Sequence, residues 1–123
     1  MSFISFRRYY LDGALDDVRD SFKGFVLDVG GKKQNRRGSF QPPYSQVDKW
    51  VFLNNDGKSE PDILANLPEI PIEDNIVDVI ICTEVLEYIY DYKKMLSECH
   101  RVLKKDCLEI SKLLCAINVT NLP

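Results

Sequence analysis

The chain has 123 residues, 45% apolar and 28% charged, a balance that describes one globular domain and excludes collagen-like, mucin-like and disordered classes. Its longest apolar run, Leu113 to Ile117, is far short of the ~20 residues of a membrane span, and Arg7 and Arg8 follow the apolar N-terminal residues, the wrong order for a secretory signal. Net charge is −3, divided into +2 over residues 1–61 and −5 over residues 62–123, so bulk charge does not favour a polyanion partner such as nucleic acid.

In chain order, Tyr10, Leu11, Ala14, Leu15, Val18 and Phe22 recur at helical spacing and predict a helix over 9–22, stopped by Gly24. Phe25-Val26-Leu27-Asp28-Val29 is a short, nearly all-apolar run ending in Gly30-Gly31, which suits a strand buried on both faces. After a polar loop, Pro42-Pro43 prevents a long helix. Trp50 to Leu53 predicts a second strand closed by Asn54-Asn55-Asp56-Gly57. Asp62-Ile63-Leu64 suits a short third strand and Val77 to Cys82 a fourth. Asp91 to Leu103 predicts a helix capped by Asp91, with Tyr92, Met95, Leu96, Cys99, Val102 and Leu103 on one apolar face. The segment from Cys107 to Val119 fits either strand or helix. Strands alternating with helical or irregular connections predict an α/β fold with a mostly parallel sheet flanked by helices.

Four cysteines, Cys82, Cys99, Cys107 and Cys115, form no CxxC pair, and His100 is the single histidine. No zinc site is expected, and reduced thiols suit a cytoplasmic protein. His100, between Cys99 and Arg101, reads as an exposed position on its helix.

Two positions invite a ligand. A buried strand running into paired glycines lets backbone approach a bound molecule beyond the carboxyl ends of the sheet, where Asp28 would meet a polar group. Asp56, just past the second strand, is placed to accept from both hydroxyls of a ribose; it equally suits a plain turn. A G-x-G-x-x-G series is missing, which argues against a nicotinamide-dependent oxidoreductase. Lys32, Lys33, Arg36 and Arg37 put four positive charges beside that cleft, either as contacts for a phosphate-bearing acceptor or as a solvated loop.

From Pro61 to Lys104 the residues resemble a known family. Pro61-Asp62-Ile63-Leu64-Ala65-Asn66, Ile70 to Asn75, Val77 to Ile81, Thr83-Glu84-Val85-Leu86-Glu87-Tyr88 and Glu98 with Arg101-Val102-Leu103-Lys104 are similar to class I S-adenosylmethionine-dependent methyltransferases of the type 11 kind. Asp28 to Gly31, Pro42-Pro43 and Trp50 to Asp56 fit the same family, extending the likeness over about 9–105, and they resemble a branch found with surface-polysaccharide biosynthesis. The resemblance implies a Rossmann-like fold with S-adenosylmethionine as cofactor. It implies that Asp28, Gly30 and Gly31 surround the amino-acid end of the cofactor, that Asp56 holds the ribose, that Asn66 and Leu67 lie near adenine and that Thr83 lies beside the sulfonium. Glu84, Glu87 and Tyr88 are the candidates for a general base toward a hydroxyl acceptor, with a small-molecule or saccharide-linked compound as that acceptor.

The chain departs from the family in three places. The first glycine motif reads Gly30-Gly31-Lys32-Lys33, Tyr88 replaces a usual histidine, and Lys105-Asp106-Cys107 lacks the usual glycine turn. The expectation is a single domain over 1–123 with a divergent tail over 106–123, truncated so that the last strands of the family fold are missing. Two functions then follow: methyl transfer, or a non-catalytic domain that binds only cofactor or a partner chain. An open sheet edge would favour self-association.

Overall fold

The computed structural model describes residues 6–33, 39–83, 89–105 and 113–116, the description at 6–8, 83 and 113–116 being of the backbone. In chain order the elements are helix α1 (Phe6–Asp17), strands β1 (Phe25–Val29), β2 (Lys49–Asn54), β3 (Ile63–Leu64) and β4 (Val79–Thr83), helix α2 (Tyr92–Val102) and strand β5 (Leu113–Ala116). Short 3-10 turns at Arg19–Ser21, Tyr44–Gln46 and Gly57–Ser59 lie between them.

The five described strands form one parallel sheet in the order β3-β2-β1-β4-β5. The chain moves outward from β1 to β3, then crosses back to β4 on the other side of β1. This reversal between β1 and β4 is where an open α/β sheet forms a ligand crevice at its carboxyl edge. Among the described residues the sheet is fully parallel, as the alternating elements predict, and the ambiguous C-terminal segment resolves at 113–116 as a strand beside β4.

Side chains alternate across a strand, so β1 divides the core into two layers. Leu27 and Val29 join Leu53, Ile80 and Cys82 on the face covered by Met95, Cys99 and Val102 of α2. Val26 joins Phe52, Val79 and Ile81 on the other face, beneath Leu11 and Leu15 of α1 and the aromatic rings of Phe22, Phe40 and Trp50. The α2 residues are wholly buried, and each such side chain contributes roughly 1.5–3 kcal/mol by leaving water. Asp91 caps α2 as expected, its carboxylate accepting from the Lys94 amide at 3.0 Å.

α1 differs from its expected bounds, starting at Phe6 and ending at Asp17. The chain tightens into the Arg19–Ser21 turn, which sends Phe22, 1% exposed, into the aromatic layer instead of along the helix. At the amino edge of the sheet, Gly24 (φ +65°) approaches Asp78 so closely that a Cβ would lie 2.1 Å from Asp78 Oδ2. That oxygen accepts from the Phe25 amide at 2.8 Å, and Lys104 Nζ pairs with Oδ1 at 3.1 Å.

Candidate functional site

Parallel register sets the site. Val29 is level with Leu53 of β2 and with Cys82 of β4, so the next residues, Gly30, Asn54 and Thr83, form a row along the carboxyl edge at the strand-order reversal. Gly30 turns the chain with φ +82°, a region that side-chain-bearing residues avoid. Its amide donates to Leu53 O at 2.8 Å, which folds the glycine turn onto the end of β2.

Asn54 holds that turn in place. Its Nδ2 donates to Gly30 O at 3.2 Å and to Gly31 O at 3.1 Å, while its Oδ1 accepts from the Asp56 amide at 3.0 Å. The side chain is 7% exposed. Sequence reasoning placed Asn54 only in a turn, because the preference of asparagine for turns masks its long-range contacts. The signal within reach was a polar residue closing an otherwise apolar strand. Asn54→Ala is expected to lower stability in urea denaturation by about 2 kcal/mol, since the glycine carbonyls and the Asp56 amide lose their shared partner. Asn54→Asp should cost at least as much, because it sets a carboxylate against two carbonyl oxygens.

Asp28 is 9% exposed, and its Oδ2 accepts from Trp50 Nε1 at 3.2 Å. The carboxylate lies against Gly31, where a Cβ would come within 2.2 Å of Oδ1. The first glycine is therefore required by its dihedral angle, while the second leaves Asp28 the space it occupies. Asp56 stands past β2 with its Oδ1 accepting from the Lys58 amide at 3.0 Å and its Oδ2 3.9 Å from Lys32 Nζ. Its side chain is 41% exposed, and a carboxylate has lone pairs enough for further donors.

Lys33 is ion-paired with Asp62 Oδ1, and Asp62 Oδ2 accepts from the Phe52 amide at 2.9 Å. The two described lysines of the basic loop thus lie against carboxylates. Asn66 is exposed beyond β3, while Leu67 is half-buried and packs on the core layer beneath α2. Thr83 ends β4 in register with Ala116. Arg36, Arg37, Glu84, Glu87 and Tyr88 lie outside the described residues.

Gly30 and Thr83 lie in one row with Asn54, and with Asp28 and Asp56 around that row, four of the residues expected at the cofactor share one edge of three adjacent strands. Among the described residues no group of three or more His, Cys, Asp or Glu is placed to hold a metal ion, and no helix is long and apolar enough to cross a membrane.

A parallel sheet with a glycine turn at its strand-order reversal and an acid past the neighbouring strand is a Rossmann-like α/β arrangement. A family profile described as a methyltransferase domain matches residues 49–108. A Mycolicibacterium smegmatis protein named "probable S-adenosylmethionine-dependent methyltransferase" is 44% identical over 39 residues, 32% of this chain and 15% of that protein. An uncharacterized protein of Methanocaldococcus jannaschii is 42% identical over 82 residues, 64% of this chain and 36% of that protein. In fold, the chain is similar to a solved Methanococcus maripaludis chain described as an S-adenosyl-L-methionine-dependent methyltransferase, with a TM-score of 0.59, 16% identity, and coverage of 79% of this chain and 51% of that one. The likeness thus spans 15% and 36% of the two curated relatives. The profile match and the mycobacterial relative both point to the S-adenosylmethionine-dependent methyltransferases that the sequence resemblance implied, and the solved structure shares their fold.

Proposed function

We propose that this domain binds S-adenosylmethionine across the carboxyl edge of β1, β2 and β4 and directs its methyl group to a small-molecule or saccharide-linked acceptor in the cytoplasm. The observation that carries this reading is the level row of Gly30, Asn54 and Thr83 at the strand-order reversal, with Gly30 in a left-handed turn and Asp56 exposed beside it. The donor set suits the cofactor. Asp56 can accept from a ribose diol, Asp28 brings negative charge to the end where the cofactor is cationic, and the glycine turn leaves backbone within reach.

When bound, S-adenosylmethionine supplies an electrophilic methyl group on a sulfonium. Little covalent chemistry falls to the protein, whose part is to orient, desolvate and hold charge. Asn66 is assigned to adenine through its side-chain amide, with Leu67 beside it, and Thr83 to the sulfonium end. Glu84 or Tyr88 would take the proton of a hydroxyl acceptor. The saccharide-linked class rests on the sequence branch and on the basic loop. In that loop Lys32 and Lys33 would have to exchange Asp56 and Asp62 for an acceptor phosphate, and Arg36 and Arg37 would complete the contact.

Titration calorimetry with S-adenosylmethionine tests the cofactor reading. The wild-type chain should bind, and Asp56→Ala should weaken binding about tenfold or more, the loss of a charge-assisted hydrogen-bond pair to the ribose. A folded wild-type chain that shows no binding refutes the reading and leaves a non-catalytic domain.

A further inference from the structure

The lone tryptophan of the chain stands outside every role assigned so far. Trp50 lies on β2 opposite Val26 of β1, and its ring is 8% exposed. Four rings hold it: Phe22 at 5.2 Å between centroids, Tyr44 at 6.0 Å, Phe40 at 6.4 Å and Phe52 at 6.5 Å. An indole wedged among these neighbours has little rotational freedom, and its single polar atom points along the sheet to Asp28 Oδ2 at 3.2 Å. The Asp28 carboxylate in turn fills the space above Gly31 that a Cβ would need. A continuous chain of contacts therefore runs from the aromatic layer through Nε1–H to the carboxylate and on to the glycine turn.

We propose that Trp50 is a positioning residue for the cofactor site: its indole N–H fixes the Asp28 carboxylate against Gly31 and so presets the glycine turn and its negative charge before the cofactor arrives. This deepens the S-adenosylmethionine reading above and rests on it. Tryptophan suits the task because indole nitrogen only donates, and a carboxylate oxygen is an acceptor for it. Phenylalanine would fill most of the same volume and leave the carboxylate without that donor. Preorganisation acts on affinity by removing the cost of ordering the group at the moment of binding.

The test is calorimetry of the full-length chain with S-adenosylmethionine, with folding checked by circular dichroism. Trp50→Phe should weaken binding about tenfold, the scale of one charge-assisted hydrogen bond partly transmitted to the ligand. In an Asp28→Asn background the same substitution should cost under about threefold, since the charge it orients is gone and the two effects are not additive. Leu15→Ala, in the same apolar layer, should lower the melting temperature and leave affinity unchanged.

Unchanged affinity in Trp50→Phe overturns the proposal. So does a tenfold weakening that persists in the Asp28→Asn background, or one that Leu15→Ala reproduces, because either would mean packing alone. Should Trp50→Phe fail to fold, the emission of Trp50 in the wild-type chain decides. Because the pair is preset, Asp28→Asn should shift the emission of the cofactor-free chain, and an emission that Asp28→Asn leaves unmoved overturns the proposal. A wild-type chain that does not bind removes the cofactor reading and this inference together, a result distinct from a wild-type chain that binds and a Trp50→Phe variant that binds equally.

Discussion

Arg101→Ala should lower the stability of the domain by about 3 kcal/mol, measured by urea denaturation, the cost of leaving several partly buried acceptors without their charged donor. Arg101, on the last turn of α2, donates from Nη1 to Ile72 O at 2.8 Å and to Asp74 Oδ1 at 2.7 Å, from Nη2 to Ile70 O at 2.8 Å, and from Nε to Glu98 Oε2. Glu98 Oε1 also accepts from the Ile70 amide at 3.1 Å. One guanidinium thus binds the 70–74 segment to the helix that covers β4. Arg101→Lys should recover only part of the loss, because an ammonium cannot span two carbonyls and two carboxylates as a planar fork does.

The same cluster has a pH signature. The hydrogen bond from Arg101 holds the Glu98 carboxyl below its ordinary value, and the Ile70 amide and the positive charges of Arg101 and Lys94 act in the same direction against the opposing effect of burial. Glu98 and Asp74 in turn hold the Arg101 guanidinium above its ordinary value, so it stays charged throughout. A carboxyl whose folded pKa is depressed stabilises fully above its unfolded value of about 4.3 and loses that contribution as pH falls through the lower folded value. Glu98→Gln should therefore destabilise most near neutral pH. The gap from wild type should close in acid, below the unfolded carboxyl range, and a gap independent of pH would contradict the assignment.

Gly31→Ala is expected to weaken S-adenosylmethionine binding at least about tenfold while leaving the fold intact, the scale of one charge-assisted hydrogen bond removed from the site. The added Cβ would meet only the far end of the Asp28 side chain, at 2.2 Å from Oδ1 and 2.4 Å from Cγ. That side chain can rotate, so the backbone need not move. Rotation breaks the bond from Trp50 Nε1 and carries the carboxylate away from the glycine turn. Stability should fall by only about 1–2 kcal/mol, the cost of one hydrogen bond to a charged group. Equal affinity in Gly31→Ala and wild type would mean that the place of Asp28 does not matter to the cofactor.

Local pattern made much of the architecture legible. The run Phe25–Val29 is β1 at its expected bounds, and Asp91 with the apolar stripe of Met95, Cys99 and Val102 marked α2 within a residue at each end. The end of α1 was not legible, since Phe22 continues the helical spacing and is claimed instead by the aromatic layer across the sheet. β5 stayed ambiguous because a short apolar run suits helix or strand until a neighbour such as β4 pairs with it.

The site was legible in its types but not in its contacts. Paired glycines and an acid after β2 are local signals. The bonds that bring the candidate residues together run from Asn54 to Gly30 and Gly31, and from Trp50 to Asp28, across 22 to 24 residues of sequence. Nothing near Asn54 or Trp50 announces those partners; parallel register brings them together. The Glu98…Arg101 pattern carries part of the family resemblance, and the fold supplies its physical reason, a clamp on the 70–74 segment.

The central claim is that the cofactor lies at the carboxyl edge where the strand order reverses. Amide chemical-shift mapping during titration with S-adenosylmethionine tests it most directly. The predicted result is a set of saturable shifts at Gly30, Gly31, Lys32, Asn54, Asp56 and Asn66, with the amino-edge residues Gly24, Phe25 and Asp78 unmoved. Shifts centred on the outer side of α1 around Tyr10 and Asp16, or at the amino edge, with Gly30 and Asp56 unchanged, would contradict it.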